Sequence, residues 1–318
     1  MNKHFRFFGA FAIAGVLVGA VGMLPIESAT PRAQSEAAIV NANAQEMSSP
    51  FNGLALTARA AIVLDTATGK AIFEQNADAQ LPLASLTKIM TAETALASAP
   101  RYALVSVLPE FLETEGASGL KSEEAWPLSS LLSFMLVSSS NDGAAAAAAV
   151  GGSFLSQSGA YTDNRKAFIA AMNSAAAARG LGSMYFLNET GLDETSEIAG
   201  GYGSARDAAR LIASAYIAHS ELFVPTTEGA AIFTEENGNM HDANNTNKAV
   251  DLIPMLRASK TGFTDLAGGN LAIVFDAGIA KPIAVVVLGS TEEGRFTDVQ
   301  NLVSATLQFL QKDDDPNL

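Results

Sequence analysis

Three short groups of residues in this chain carry reactive chemistry. Ser85 and Lys88 stand in the stretch Pro82-Leu83-Ala84-Ser85-Leu86-Thr87-Lys88-Ile89-Met90-Thr91-Ala92. A serine hydroxyl is a poor nucleophile until a base takes its proton, and a desolvated lysine amine is such a base. Their spacing puts hydroxyl and amine on one face of a helix. The pattern alone is weak, because Ser118-Gly119-Leu120-Lys121 repeats it, and a helix start with a solvated lysine reads the same. Ser139-Ser140-Asn141 offers a hydroxyl that relays a proton to a leaving amine and an amide that grips a substrate amide; the plainer reading is a helix end and turn. Lys260-Thr261-Gly262 combines a cation and a hydroxyl suited to a carboxylate with a glycine that lets a substrate backbone approach. Its plainer reading is a strand end before a turn.

The elements that must position these groups follow from local pattern. Leu86, Ile89 and Met90 predict a buried helix opening near Ser85, with unpaired N–H groups and the positive dipole end at its first turn. Leu128–Val137 is an apolar run ending in the polar break Ser138–Gly143, and the alanine run Ala144–Val150 reads as a tightly packed helix. Asp163–Arg179 is a helix stopped by Gly180, and Ser204 with Asp207 opens another with capping-box spacing to about Ala218. Ala60–Asp65 and Lys70–Gln75 read as a hairpin across Thr66-Ala67-Thr68-Gly69. Arg257–Thr261, Leu271–Asp276 and Ile283–Leu288 read as strands, and Thr297–Gln311 as a helix with one apolar face. Strands at both ends around a helical middle predict one sheet drawn from both chain ends and covered by helices, an α+β or mixed α/β fold. Residues 101–127 read as irregular, with Glu113, Glu115, Glu123 and Glu124 near Trp126.

Composition bounds the function. The chain has 318 residues, a formal charge of −14 and no cysteine, which excludes thiolate chemistry and argues against nucleic acid or an anionic membrane surface as partner. Lys3, His4 and Arg6 precede an apolar run from Phe7 to Leu24, so residues 1–26 read as a signal peptide or N-terminal anchor. Residues 27–54 read as a linker, 55–312 as the folded domain that carries the three reactive groups, a catalytic domain by the resemblance given below, and 313–318 as an acidic tail. This address is export to a periplasm, with the inner membrane as the place of any N-terminal attachment. Only His219 and His241 lie beyond the leader, so neither a histidine-rich zinc site nor any other metal or cofactor is expected; His219 reads as a helix cap.

The ordered trio resembles the signature of penicillin-binding proteins, and the chain is similar to the low-molecular-weight group of serine D-alanyl-D-alanine carboxypeptidases of peptidase S11 type. The likeness extends to Met172-Asn173, Phe186-Leu187-Asn188-Glu189-Thr190-Gly191-Leu192, Asn245-Thr246-Asn247 and the stretch from Lys260 through Gly268. It implies a β-lactamase/transpeptidase-like fold with an antiparallel sheet and a helical subdomain. By the same resemblance Ser85 is the nucleophile, Lys88 its proton acceptor and Ser139 a participant in proton transfer. Asn141 is a binding residue, Lys260 and Thr261 hold a terminal carboxylate with help from Arg295, and Gly262 lines the strand edge. The N–H groups of Ser85 and Phe263 form the oxyanion hole. Peptidoglycan stem peptides are the implied substrates and β-lactams the implied covalent inhibitors. Residues 164–188 contain no Glu or Asp, so no glutamate stands where a class A β-lactamase places its deacylating base, and slow deacylation is expected. The family's usual C-terminal β-rich domain and anchor helix have no counterpart before Leu318, so membrane attachment is expected to rest on the N-terminus or to be absent. A D,D-endopeptidase and a catalytically silent wall-binding scaffold are the rival readings.

Overall fold

In the computed structural model, which describes residues 49–112, 115–116, 119–156, 160–279 and 281–313, the expected hairpin joins Ala60–Asp65 (β1) to Ala71–Gln75 (β2). Asp65 Oδ1 accepts from the Ala67 and Thr68 N–H groups at 2.9 and 3.0 Å, and Gly69 takes the left-handed conformation the turn needs. Short strands follow at Leu81–Pro82 (β3), Leu104–Ser106 (β4), Ala125–Pro127 (β5), Tyr185–Phe186 (β6) and Gly201–Gly203 (β7). The hairpin Ala230–Thr234 (β8) and Met240–Asn244 (β9) precedes three long strands, Leu256–Thr264 (β10), Gly268–Asp276 (β11) and Pro282–Ser290 (β12). The long helices are Thr87–Ser98 (α1), Leu128–Ser138 (α2), Asn141–Ser156 (α3), Tyr161–Ala178 (α4), Ala205–Ala218 (α5) and Gly294–Asp313 (α6).

The main sheet is antiparallel with order β10-β11-β12-β1-β2, and β1 pairs with β12, Ala60 opposite Leu288. One sheet is therefore built from both chain ends, as the pattern predicted. Alternate residues divide between two cores. Ile62, Leu64, Val274, Ala284 and Val286 face the helical middle, while Ala61, Val63, Ile273, Val285 and Val287 pack on Val299, Leu302 and Val303 of α6. Because helices cover both faces, these strands are nearly continuous apolar runs rather than alternating ones. The helical core gathers Ile89 and Met90 with Leu131, Phe134, Met135, Phe168 and Met172, and the alanines of α3 are buried there.

Three regions differ from the sequence reading. Residues 101–127, expected to be irregular, contain β4 paired with β5. Trp126 is buried against Phe134 and His241, and buried Glu124 accepts from its indole N–H at 3.2 Å and lies 3.1 Å from His241 Nε2. Three-residue strands are too short to show a period. The hairpin β8–β9 was missed although Asn237-Gly238, with Gly238 at φ +89°, marks its turn. At the reactive stretch, a 3₁₀ turn over Ala84–Leu86 comes first and α1 begins only at Thr87.

His219 occupies the C-terminal cap of α5. Ser204 caps its N-terminus by accepting from the Asp207 N–H, while the Asp207 carboxylate turns to Ser183 instead of closing the box. The leader at 1–26, the linker up to 48, Glu113, Ser118 and the tail from 314 lie outside the described residues. Within the remainder of the linker stretch, Phe51 is buried, stacked on Phe73 at 5.1 Å and tilted against Phe309 at 6.0 Å. Among the described residues no helix is long and apolar enough to cross a membrane.

Candidate active site

Ser85 lies in the 3₁₀ turn and Lys88 in the first turn of α1, so chain geometry alone brings hydroxyl and amine together. Lys88 Nζ donates to Ser85 Oγ at 2.9 Å, to Asn141 Oδ1 at 2.6 Å and to the Thr190 carbonyl at 2.7 Å. Its three donors meet three neutral acceptors, and among the described residues it forms no ion pair. Lys88 is fully buried, and burial brings its pKa from 10.5 down to about 7, with the Glu189 carboxylate pulling the other way. Repulsion between two neighbouring amines would act in the same direction. The structure assigns the main effect to desolvation, while the repulsion is felt by Lys260, held well below the usual lysine range by burial and then by the charges of Lys88 and Arg295.

This has a consequence for stability. The unfolded chain keeps the Lys88 proton up to its ordinary pKa of 10.5, whereas the native state releases it near 7. Between those values the unfolded state binds more protons, so stability rises with pH, by about 1 kcal/mol per unit from this group. Urea unfolding at pH 7.5 and 9.5 is expected to show a smaller rise in a Lys88→Met protein than in the wild type. Equal rises would mean that Lys88 stays charged in the native state.

β10 supplies the opposite wall. It is the outermost strand of the sheet, and a Cβ added to Gly262 would lie 2.9 Å from the Leu83 carbonyl oxygen and 3.1 Å from the Ser85 nitrogen. The strand edge thus runs against the turn that carries Ser85. Buried Lys260 donates from Nζ to Ser139 Oγ and to the Thr261 carbonyl, each at 2.8 Å. Ser139 ends α2 in the left-handed conformation at φ +60°, which breaks the helix and leaves its hydroxyl between the helices and the sheet. The Thr261 and Thr246 hydroxyls share a hydrogen bond of 2.5 Å. Buried Arg295, in the first turn of α6, donates from Nη1 to the Gly262 carbonyl at 2.9 Å and lies 4.8 Å from the Phe296 ring and 5.9 Å from that of Phe263.

The loop between β6 and β7 completes the floor. Asn188 Oδ1 accepts from the Thr190 and Gly191 N–H groups at 3.1 and 2.6 Å, folding a tight turn that aims the Thr190 carbonyl at Lys88. Gly191, at φ +80°, is pressed against the turn bearing Ser85, and a Cβ there would fall 1.9 Å from the Ala84 carbonyl oxygen. Gly191→Ala is expected to destabilise the fold by about 3 kcal/mol or more. A urea midpoint close to the wild type's would show that the turn can give way.

The structure therefore joins Ser85, Lys88 and Asn141 in one set of hydrogen bonds and Ser139, Lys260, Thr261 and Thr246 in another, with Gly262, Phe263 and Arg295 along the strand edge. Asn141 does more than was expected of a binding residue: besides accepting from Lys88, it donates to the Glu115 carbonyl at 2.6 Å. Beside Phe263 opens a cavity of about 380 Å³ that Glu115, Leu192, Asp193 and Thr264 also line. Sequence reasoning gave no role to Thr190 or Thr246, although both lie in polar segments it singled out. Of the second Ser-x-x-Lys copy, Lys121 is exposed and its backbone N–H donates to Glu124. A hydroxyl bonded to a buried amine, facing a cationic strand edge, is suited to acyl transfer on a peptide ending in a carboxylate.

Comparison with known proteins agrees with this chemistry. The family model for D-alanyl-D-alanine carboxypeptidase, peptidase S11, matches residues 43–292. A D-alanyl-D-alanine endopeptidase of Pseudomonas aeruginosa is 30% identical over 248 residues, 76% of this chain and 74% of that protein. The D-alanyl-D-alanine carboxypeptidase DacA of Escherichia coli strain K12 is 30% identical over 80% of this chain, yet the match spans only 62% of the relative's length. Among solved structures, penicillin-binding protein D2 of Listeria monocytogenes in its ampicillin-bound form is 28% identical, with a TM-score of 0.66 over 80% of this chain and 98% of that one. A mutant of the Streptomyces K15 DD-transpeptidase, 21% identical, shares the fold at a TM-score of 0.71 over 80% of this chain and 99% of that one. With the family model covering most of its length, the chain belongs to the D-alanyl-D-alanine carboxypeptidase family of serine peptidases, the low-molecular-weight penicillin-binding proteins.

Proposed function

We propose that this protein is an exported serine D-alanyl-D-alanine carboxypeptidase that trims peptidoglycan stem peptides through an acyl-enzyme on Ser85. The observation that carries the reading is the 2.9 Å contact between Ser85 Oγ and a fully buried Lys88 amine that donates to three neutral acceptors. In this scheme Lys88 takes the Ser85 proton as Oγ attacks the carbonyl between the two D-alanines. The N–H groups of Ser85 and Phe263 stabilise the negative oxygen that results. Ser139, bonded to Lys260, delivers a proton to the departing D-alanine amine, and Asn141 holds the amide of the residue before the cut. Lys260 and Thr261 bind the terminal carboxylate, with Arg295 bracing β10 at Gly262. Water then hydrolyses the ester. A β-lactam enters the same path and stalls as a stable acyl-enzyme, since among residues 164–188 there is no carboxylate to activate that water. The basic and apolar segment 3–24 supports delivery to the periplasm, with the N-terminus as a leader or an anchor.

The test is release of D-alanine from a peptide ending in D-Ala-D-Ala, run beside labelling by a fluorescent penicillin. Release with stoichiometric labelling is the expected result. Folded protein that neither releases D-alanine nor takes up label would overturn the assignment in favour of a silent wall-binding scaffold. The similarity to the Pseudomonas endopeptidase favours one second reading, cleavage of peptide crosslinks. Conversion of crosslinked muropeptide dimers to monomers, without D-alanine release, would establish it.

A further inference from the structure

One ion pair near the site, between a buried carboxylate and a half-buried guanidinium, has no part in the scheme above. Glu189, next to the residue whose carbonyl receives Lys88, has a side chain only 3% exposed. Both carboxylate oxygens face Arg165 Nε of α4, at 3.1 and 3.0 Å. The Glu189 carbonyl accepts from Thr91 Oγ1 at 2.6 Å, one turn along α1 from the reactive pair, so the residue is tied to the same helix as Lys88. A cavity of about 260 Å³ lies beside the pair, lined by Tyr161, Arg165, Asn188, Glu189, Thr190 and Leu192.

We propose that Glu189 and Arg165 are positioning residues for Lys88: the buried carboxylate anchors the turn that aims the Thr190 carbonyl at the amine, and the guanidinium offsets its negative charge so that Lys88 is not locked in its charged form. An unpaired carboxylate at Glu189 would hold a proton on the neighbouring amine and leave no base for Ser85. Arg165 instead places a positive charge within hydrogen-bond reach of both carboxylate oxygens. The other charged groups around the pair act through it. Glu189 acts on Lys88 from the β6–β7 loop, while the charges of Lys88 and Arg295 act on Lys260 of β10. On α4, Tyr161 adjoins Glu189, held above its usual range by burial and then by that carboxylate, and Glu110 acts on Tyr161 in turn. Glu194 adds to the field at Arg165, whose charged form is reinforced chiefly by Glu189 against the cost of burial. Of these, only Glu189 raises the affinity of Lys88 for its proton.

This inference rests on Lys88 being the base, so it is tested by two readouts on the full chain. The first is direct: titration of the Lys88 Cε resonance in protein carrying ¹³Cε-lysine, assigned by its absence from Lys88→Arg. The second is the acid limb of acylation by a fluorescent penicillin. Glu189→Gln is expected to lower both midpoints by about half a pH unit or more, and Arg165→Gln to raise both. Arg165→Lys, which keeps the charge, is expected to remain near the wild type. Each variant is checked for native circular dichroism, and Glu189→Gln, nearly isosteric, provides the answer should Arg165→Gln fail to fold. A resonance that moves in a protein the penicillin does not label would uphold the pair and overturn the functional reading. Normal labelling with the Lys88 midpoint unmoved in folded Glu189→Gln would overturn the pair alone.

Discussion

Ser85→Ala is expected to lower acylation by a penicillin, and D-alanine release with it, by on the order of 10⁴-fold or more, because the oxygen that forms the ester is removed. The fold has little reason to change. Among the described residues the Ser85 hydroxyl makes one hydrogen bond, accepted from Lys88, and that amine retains Asn141 Oδ1 and the Thr190 carbonyl as acceptors. The strand edge and Arg295 are untouched, so non-covalent peptide binding should persist while turnover disappears. Intact-mass spectrometry after incubation with penicillin checks this: one adduct per chain in the wild type, carried by the peptide containing Ser85, and none in the variant. An adduct that survives Ser85→Ala and maps to Ser118 would transfer the chemistry to the second Ser-x-x-Lys copy. Lys121 is exposed rather than buried as Lys88 is, which makes that outcome unexpected.

Lys88→Met should have the second largest effect, a fall of about 10³-fold in the acylation rate at pH 7.5, the range for loss of a positioned general base. Methionine is chosen because it fills the volume of the lysine stem without an amine. Two opposed terms then act on stability. The Asn141 and Thr190 oxygens lose their donor, at about 1–3 kcal/mol for each acceptor left buried and unpaired. Against that, the cost of desolvating a lysine amine disappears. The pH profile separates loss of the base from a packing defect. With its pKa brought to about 7 by burial, wild-type Lys88 gains a proton below that pH, and acylation should fall about tenfold per unit. The residual rate of Lys88→Met should lack that limb. If the limb persists in the variant, Lys260 is the base. If the wild type keeps its full rate down to pH 5, the titration of a buried amine does not govern the step.

Both predictions use residues that stand out before any coordinates are considered, because their chemistry is local. Ser85 and Lys88 are one helical turn apart, Ser139 and Asn141 bracket a break between two apolar helices, and Lys260 lies in an apolar run of strand character. The secondary elements were readable for the same reason: Leu86 with Ile89 and Met90, or Val299 with Leu302 and Val303, show their period within a few residues. The sheet drawn from both chain ends followed from the order of those elements. The unread parts were short or mutual. β4, β5, β6 and β7 have two or three residues each, and their pairing depends on the partner rather than on their own composition.

The amino-acid sequence by itself determined which reactive groups exist, the elements that bear them and the family to which their spacing belongs. Only the tertiary structure decided what state those groups are in. That Lys88 meets three neutral acceptors, that burial lowers its proton affinity, that Thr190 and Thr246 complete the two hydrogen-bonded sets, and that Arg165 of α4 faces Glu189 of the β6–β7 loop are facts about contacts between distant segments. The physical reason is range. Periodicity and turn preference act over a few bonds along the chain, whereas desolvation and the pairing of charges depend on what packing brings within a few ångströms in space.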